Sequence, residues 1–174
     1  TTVGITVNAS MILSHSGIVR LLDSLTLTSG RLTDFNFGEL DINGFTYTQS
    51  SSSFRTNTAT AKTLSLGTGG LLSVSRGNDT IPVLDLQRGA GVLTVTANTG
   101  TIRVARTGNN PIEVKLYTTD YDEMLFEVSG TNATPTNWVY LYGSSGEVTL
   151  GGIKARGPNT IYWGDSQTFV VGSF

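Results

Sequence analysis

Apolar and polar residues alternate in short runs along almost the whole chain, and Gly, Asn and Ser separate the runs. Leu93-Thr94-Val95, Ile102-Arg103-Val104, Val139-Tyr140-Leu141 and Val148-Thr149-Leu150 are four examples. A period of two sends successive side chains to opposite faces of an extended strand. Each run therefore reads as a strand with one buried face, and runs of about five residues at a spacing of about 8–12 point to an all-β fold. Further strands are predicted at Leu64–Leu66, Leu71–Ser75, Ile81–Leu86, Ile112–Tyr117, Met124–Val128, Thr160–Trp163 and Thr168–Val171.

The turn chemistry predicts how neighbouring strands pair. In Leu40-Asp41-Ile42-Asn43-Gly44-Phe45-Thr46-Tyr47, Asn-Gly supplies the positive φ that a two-residue type I′ hairpin needs at both centres. Pairing about that turn sets Ile42 against Phe45 and Leu40 against Tyr47, all on one face. Two more hairpins follow from the same test. Ala97-Asn98-Thr99-Gly100 would join Leu93–Val95 to Ile102–Val104, and Gly143-Ser144-Ser145-Gly146 would join Val139–Leu141 to Val148–Leu150.

The expectation is an antiparallel β-sandwich or jelly-roll-like module with an N-terminal arm; an intertwined trimeric β-prism or β-helix is the alternative. The absence of a strict fixed-length repeat counts against a regular solenoid. Residues 10–25 break the strand texture. Ile18, Leu21, Leu22 and Leu25 stand at helical spacing and Ser16 is a possible cap, so two turns of helix and a buried strand both remain open. The polar run Gln49–Thr60 reads as a linker or exposed loop. This divides the chain into an N-terminal arm and hairpin module (1–48), a Ser/Thr-rich linker (49–62) and a C-terminal β-module (63–174).

Composition narrows the chemistry. Charged residues are 14 % of the chain, the formal net charge is −2, and no basic run occurs; nucleic acid is a poor partner on those grounds. Thr and Ser make up about a quarter of the 174 residues and Gly occurs 21 times, so small hydroxyl residues must carry much of the surface. With no Cys there is neither a disulfide framework nor a thiolate metal site. No apolar run reaches the length of about 18 residues that a membrane span needs; Thr1-Thr2 leads straight into Val3-Gly4-Ile5 without a charged n-region or long apolar h-region, so the expectation is either a leader already removed or a chain made in a cytosol that lost its Met. Three Asn-x-Ser/Thr triplets (at Asn8, Asn78 and Asn132) are what chance supplies in such a chain.

His15 is the single imidazole. Ser14, Ser16 and Asp23 lie near it in sequence, but no Gly-x-Ser-x-Gly elbow accompanies them. Asp120-Tyr121-Asp122-Glu123 is the densest acidic cluster. It lacks the EF-hand spacing for Ca²⁺ and reads as a solvated loop. Asp34, Glu39, Asp41, Asp85, Glu113 and Asp165 offer carboxylates, but a glycosidase needs two of them in one cleft. Gly67-Thr68-Gly69-Gly70 lacks the Lys-Ser/Thr ending of a phosphate loop and reads as a turn. No catalytic residue, metal ligand or cofactor is assigned. Trp138, Tyr140, Tyr142, Tyr162 and Trp163 are the best binding hint; Trp138, Tyr140 and Trp163 are chosen as a possible ligand surface, with packing against a neighbour as the other reading.

Val92–Val104, Gly69-Gly70-Leu71-Leu72-Ser73-Val74 and the apolar N-terminal stretch before a Ser/Thr run resemble tailed-phage virion proteins: capsid decoration (cement), head-fibre and short tail-fibre proteins. The resemblance is one of texture over about residues 25–174 and carries no family motif. It implies a non-enzymatic virion structural protein, made in a host cytoplasm and displayed on the particle. It also implies homotrimeric β-sheet contacts, a major capsid or other virion protein as partner, and an N-terminal anchor. Met11, Ile12, Leu13, Ile18, Val19, Leu21 and Leu22 are the expected anchor, with ordinary core as their other reading. A carbohydrate- or receptor-binding tip and a secreted, pilus-like filament subunit are the alternative functions.

Overall fold

A computed structural model describes residues 4–28, 30–77, 81–86, 93–96, 99–106, 112–116, 120–130, 138–142, 147–156, 160–163 and 168–171, with side chains described up to residue 116 and for 150–154. The described residues form β-strands, and every paired strand is parallel to its neighbours. The chain winds in successive coils, each stacked on the one before. Coil 1 holds β1 (Ile5–Val7) and β2 (Met11–Arg20); coil 2 holds β3 (Leu25–Leu27) and β4 (Thr33–Asp41). Coil 3 holds β5 (Thr46–Gln49), β6 (Phe54–Thr56) and β7 (Lys62–Ser65). Coil 4 holds β8 (Leu71–Arg76), β9 (Leu84–Asp85) and β10 (Leu93–Thr96); coil 5 holds β11 (Thr101–Arg106) and β12 (Ile112–Lys115). Beyond them come β13 (Asp120–Gly130), β14 (Trp138–Tyr142), β15 (Glu147–Arg156), β16 (Thr160–Trp163) and β17 (Thr168–Val171).

One sheet stacks β1, β3, β5, β8, β11, β13, β15 and β17. The other runs β6, β9, β12, β14, β16 on one side of β4 and β7, β10 on the other, with β2 also on β4. The long strands β2 and β4 therefore span two faces. Their front halves lie in the ladder that continues to β6 and β16, and their rear halves in the ladder that continues to β7 and β10. Coils 1 to 4 thus have three strand-bearing faces. This is a parallel β-solenoid wound by one chain.

The antiparallel sandwich or jelly-roll is therefore corrected, and so is the intertwined trimeric alternative, because each strand pairs with the next coil of its own chain. The Asn43-Gly44 turn is present: φ is 54° and 78°, and Phe45 N donates to Ile42 O at 3.0 Å. It does not close a hairpin. Asp41 on its near side pairs with Ser65, and Thr46 on its far side with Leu71, in different sheets. Two positive-φ residues fix a local change of direction but not the partner strand. The one-sided apolar pattern is satisfied equally well when the two strands line adjoining walls of one core. The hairpins expected at 93–104 and 139–150 fail in the same way, since β10 pairs with β7, β11 with β8 and β13, β14 with β12 and β16, and β15 with β13 and β17.

Two segment readings change as well. Residues 11–20 are strand rather than helix: Leu21 is buried while Ile18 and Leu22 face out, so the residues at helical spacing do not share a face. The polar run 49–62 contains β6, whose Phe54 is fully buried. The rest of that run is tied back by side chains, with Lys62 Nζ donating to the carbonyls of Thr58 (2.8 Å) and Thr60 (2.6 Å) and Thr58 Oγ1 to Asn36 O.

The core is a set of in-register rows, one residue per coil. Leu25, Tyr47, Leu72 and Ile102 form one; Leu40, Leu64 and Val95 another; Phe54, Leu84 and Val114 a third. Each side chain of this kind contributes about 1.5–3 kcal/mol by leaving water. Phe54 joins the walls through edge contacts with Phe35 and Tyr47, at ring-centroid distances of 6.4 and 6.0 Å. Tyr47 keeps its hydroxyl satisfied inside the core on Thr33 Oγ1 at 2.7 Å, and burial pushes its pKa up to about 12.

Candidate assembly surface on the first coil

The outer rows show what each coil presents to its surroundings. On one face Ile12, Asp34, Arg55, Asp85 and Lys115 are in register, one per coil. Four of the five are charged with alternating sign, and Arg55 forks onto Asp34 through Nε (2.5 Å) and Nη2 (3.3 Å). On the next face Ile18, Glu39, Thr63 and Thr94 are in register. In both rows the charged or hydroxyl residue of later coils is replaced by isoleucine in coil 1. Ile12 is 65 % exposed and Ile18 59 %. Ile5 and Leu22 are exposed as well, so four of the five exposed large apolar residues among the described residues fall in 5–22.

Coil 1 also contributes to the inner rows. Ile5 heads the row of Leu25 and Tyr47, and Val7 the row of Leu27 and Gln49. Ile5 is exposed and Val7 and Met11 are half-buried.

This arrangement divides the expected anchor. Leu13 and Leu21 are buried core, and Met11 and Val19 pack against the core from its edge. Ile12, Ile18 and Leu22 face out. The two groups alternate with period two, odd residues inward and even residues outward, even though β2 carries a bulge where its register on β4 shifts between Leu13 and Ser14 and again between Ser14 and Ile18. Gly38, at φ +89°, makes room for that bulge. A Cβ there would stand 1.9 Å from the carbonyl oxygen of His15.

The other sequence candidates take separate places. His15 lies in the bulge and its Nδ1 accepts from Gly17 N at 2.8 Å. Ser14 Oγ is engaged by Asn36 Nδ2 (2.6 Å) and Asp23 Oδ1 by Ser24 N (2.7 Å), so neither turns to the imidazole. Asp34 and Asp41 are ion-paired with Arg55 and Arg20. Glu39 and Asp85 stand in the outer rows above, Glu113 lies 3.3 Å from Lys115 Nζ, and Asp165 falls outside the described residues. Among the described residues no three Asp, Glu or His side chains converge as metal ligands. Gly67 and Gly69, at φ +70° and +71°, form a corner stacked on Asn43-Gly44 of the coil before. The 120–123 cluster lies on β13 at a shift in its register with β15. Of the aromatic candidates, Tyr140 is in register with Glu113 and Tyr162, Trp163 with Leu141, and Trp138 with Thr160; their side chains are outside the described set.

No family model, curated protein or solved structure matches the chain.

Proposed function

We propose that this chain is a non-enzymatic structural module of a virus particle, built as a stiff solenoid and joined to its neighbours through coil 1. The observation that supports the reading is the change within the outer rows. Positions that carry Asp34, Arg55, Asp85 and Lys115 further along are occupied by Ile12 at the start, and Ile18 replaces the polar series of Glu39, Thr63 and Thr94. Exposed apolar residues gathered in one coil of an otherwise polar surface support a site of association there. The resemblance to capsid-decoration and fibre proteins supplies the setting, a particle surface.

The test is location. Particles from the source culture are banded in a density gradient and probed with antibody against the chain. Antigen that co-bands with intact particles is the expected outcome. Antigen recovered solely in the particle-free fractions overturns the reading.

A further inference from the structure

We infer that two copies of the chain associate side by side, pointing in opposite directions, through the charged outer row of coils 2 to 5. The two-fold axis lies along the strand direction, between coils 3 and 4. The inference uses a different surface from the exposed isoleucines and does not depend on them.

The row supplies the first argument. Asp34, Arg55, Asp85 and Lys115 occupy one register position on four successive coils. Their strand neighbours Phe35, Phe54, Leu84 and Val114 are buried, so the period of two puts the charged residues on the outer face. The signs run minus, plus, minus, plus. Uncharged positions bound the block on both sides, Ile12 before Asp34 and Tyr142 after Lys115. The block therefore has a defined midpoint, between Arg55 and Asp85, and its sign reverses about that point.

Symmetry then selects the partner and its orientation. Parallel strands stack at about 4.8 Å in both copies, so the rungs of two copies stay aligned along the block. Turning one copy about an axis along the strands brings the two faces together and reverses the stacking order. Arg55 then meets Asp85 of the partner subunit, and Asp34 meets the partner's Lys115. Each pair occurs twice, so every charge of both blocks faces its opposite. Glu113, two residues before Lys115, comes level with an uncharged residue, the partner's Leu32.

Other arrangements fit worse. A two-fold axis along the shaft sets each rung against the same rung, so Asp34 meets the partner's Asp34 and Arg55 the partner's Arg55. Every contact in the row is then between like charges, which disfavours binding. Two copies pointing the same way and offset by one rung match three charges, leave Lys115 against coil 6, and form a contact that does not close. The reversed pair is isologous and closes at two copies. Arg55 still forks onto Asp34 within its own chain. A guanidinium carries five donors and a carboxylate about four acceptor sites, so the fork leaves capacity for a contact across the axis.

Sedimentation of chain 1–174 at low ionic strength is expected to approach twice the 18.4 kDa of one copy. Salt is expected to return single copies, because the Debye length falls from about 30 Å at 0.01 M to about 3 Å at 1 M. Lys115→Glu sets like charges together at both ends of the block. Within the chain, Lys115 lies beside Glu113 in a solvent-facing pair, and such pairs add little to stability. The variant is expected to keep its circular dichroism spectrum while the dissociation constant of the dimer rises at least tenfold. The chain contains no Cys, so a second test reads the geometry directly. Arg55→Cys and Asp85→Cys chains, mixed and oxidised, are expected to form a disulfide-linked heterodimer at least tenfold more abundantly than either chain alone. A mass of one or three chains at low salt, a dimer that salt does not weaken, a Lys115→Glu chain that dimerises as tightly as its parent, or cross-linking no greater in the mixture than in the single variants overturns the inference.

Discussion

Asp34 and Arg55 are in-register neighbours on adjacent coils, and the guanidinium of Arg55 grips both carboxylate oxygens of Asp34. The pair is half-buried, and Asp85 stands next in the same row. Arg55→Ala is expected to lower stability by about 1.5–3 kcal/mol, the usual worth of a hydrogen bond to a charged group. The double swap Asp34→Arg with Arg55→Asp restores the pair but sets an aspartate beside Asp85, so it is expected to recover part of the loss and not all of it. Urea unfolding of the three variants checks both statements.

Gly38 and Gly69 both hold positive φ, yet their surroundings differ. A Cβ at Gly38 would strike the backbone of the β2 bulge, whereas nothing stands within 4 Å of one at Gly69. Gly69→Ala is expected to cost about 1–2 kcal/mol, the strain of a left-handed alanine alone. Gly38→Ala is expected to exceed it by at least about 2 kcal/mol, because the bulge must move or the rear half of β2 must detach. Equal melting midpoints for the two variants would refute the close packing of β2 on β4.

Phe54 lies inside the polar run 49–62 and is fully buried against Phe35 and Tyr47. Phe54→Ala is expected to cost about 3–5 kcal/mol, as in other well-packed cores. A linker phenylalanine would cost almost nothing, so thermal unfolding of this one variant discriminates between the two.

Alkali is expected to loosen the fold through Tyr47. Its pKa is raised from 10.0 to about 12 by burial, and the bond to Thr33 opposes the rise. The unfolded chain loses this proton near pH 10 and the folded chain keeps it. The contribution is therefore fully present below pH 10 and is lost as pH climbs toward 12, to the extent of about 2–3 kcal/mol. Tyr47→Phe is expected to flatten that decline while leaving Thr33 without its partner at neutral pH. Denaturant midpoints between pH 8 and 11.5 measure the slope.

The strands themselves were legible in the sequence, because period-two alternation is written into each run. Their partners were not. Asn43-Gly44 and the alternation around it serve a hairpin and a solenoid corner equally well, and local pattern holds no record of which edge a strand meets. A repeat would have revealed the stacking, but the coils differ in length. Ile5, Leu25, Tyr47, Leu72 and Ile102 are successive members of one row, separated by 20, 22, 25 and 30 residues. The anchor residues were legible as an apolar cluster. Their division into Leu13 and Leu21 inside and Ile12, Ile18 and Leu22 outside follows period two, odd residues inward and even residues outward, and the parity survives the irregular register at 14–17. The helical spacing of Ile18, Leu21, Leu22 and Leu25 coexists with that alternation, and in so short a run the two periods compete.

That unequal spacing leaves the molecule room to change. Each added stretch falls between strands whose alignment is dictated by the neighbouring coils, so the stacked rows keep their order whatever its length. Such a scaffold accepts new loops at its vertices, and whatever those loops come to recognise is acquired without redesigning the shaft that carries them.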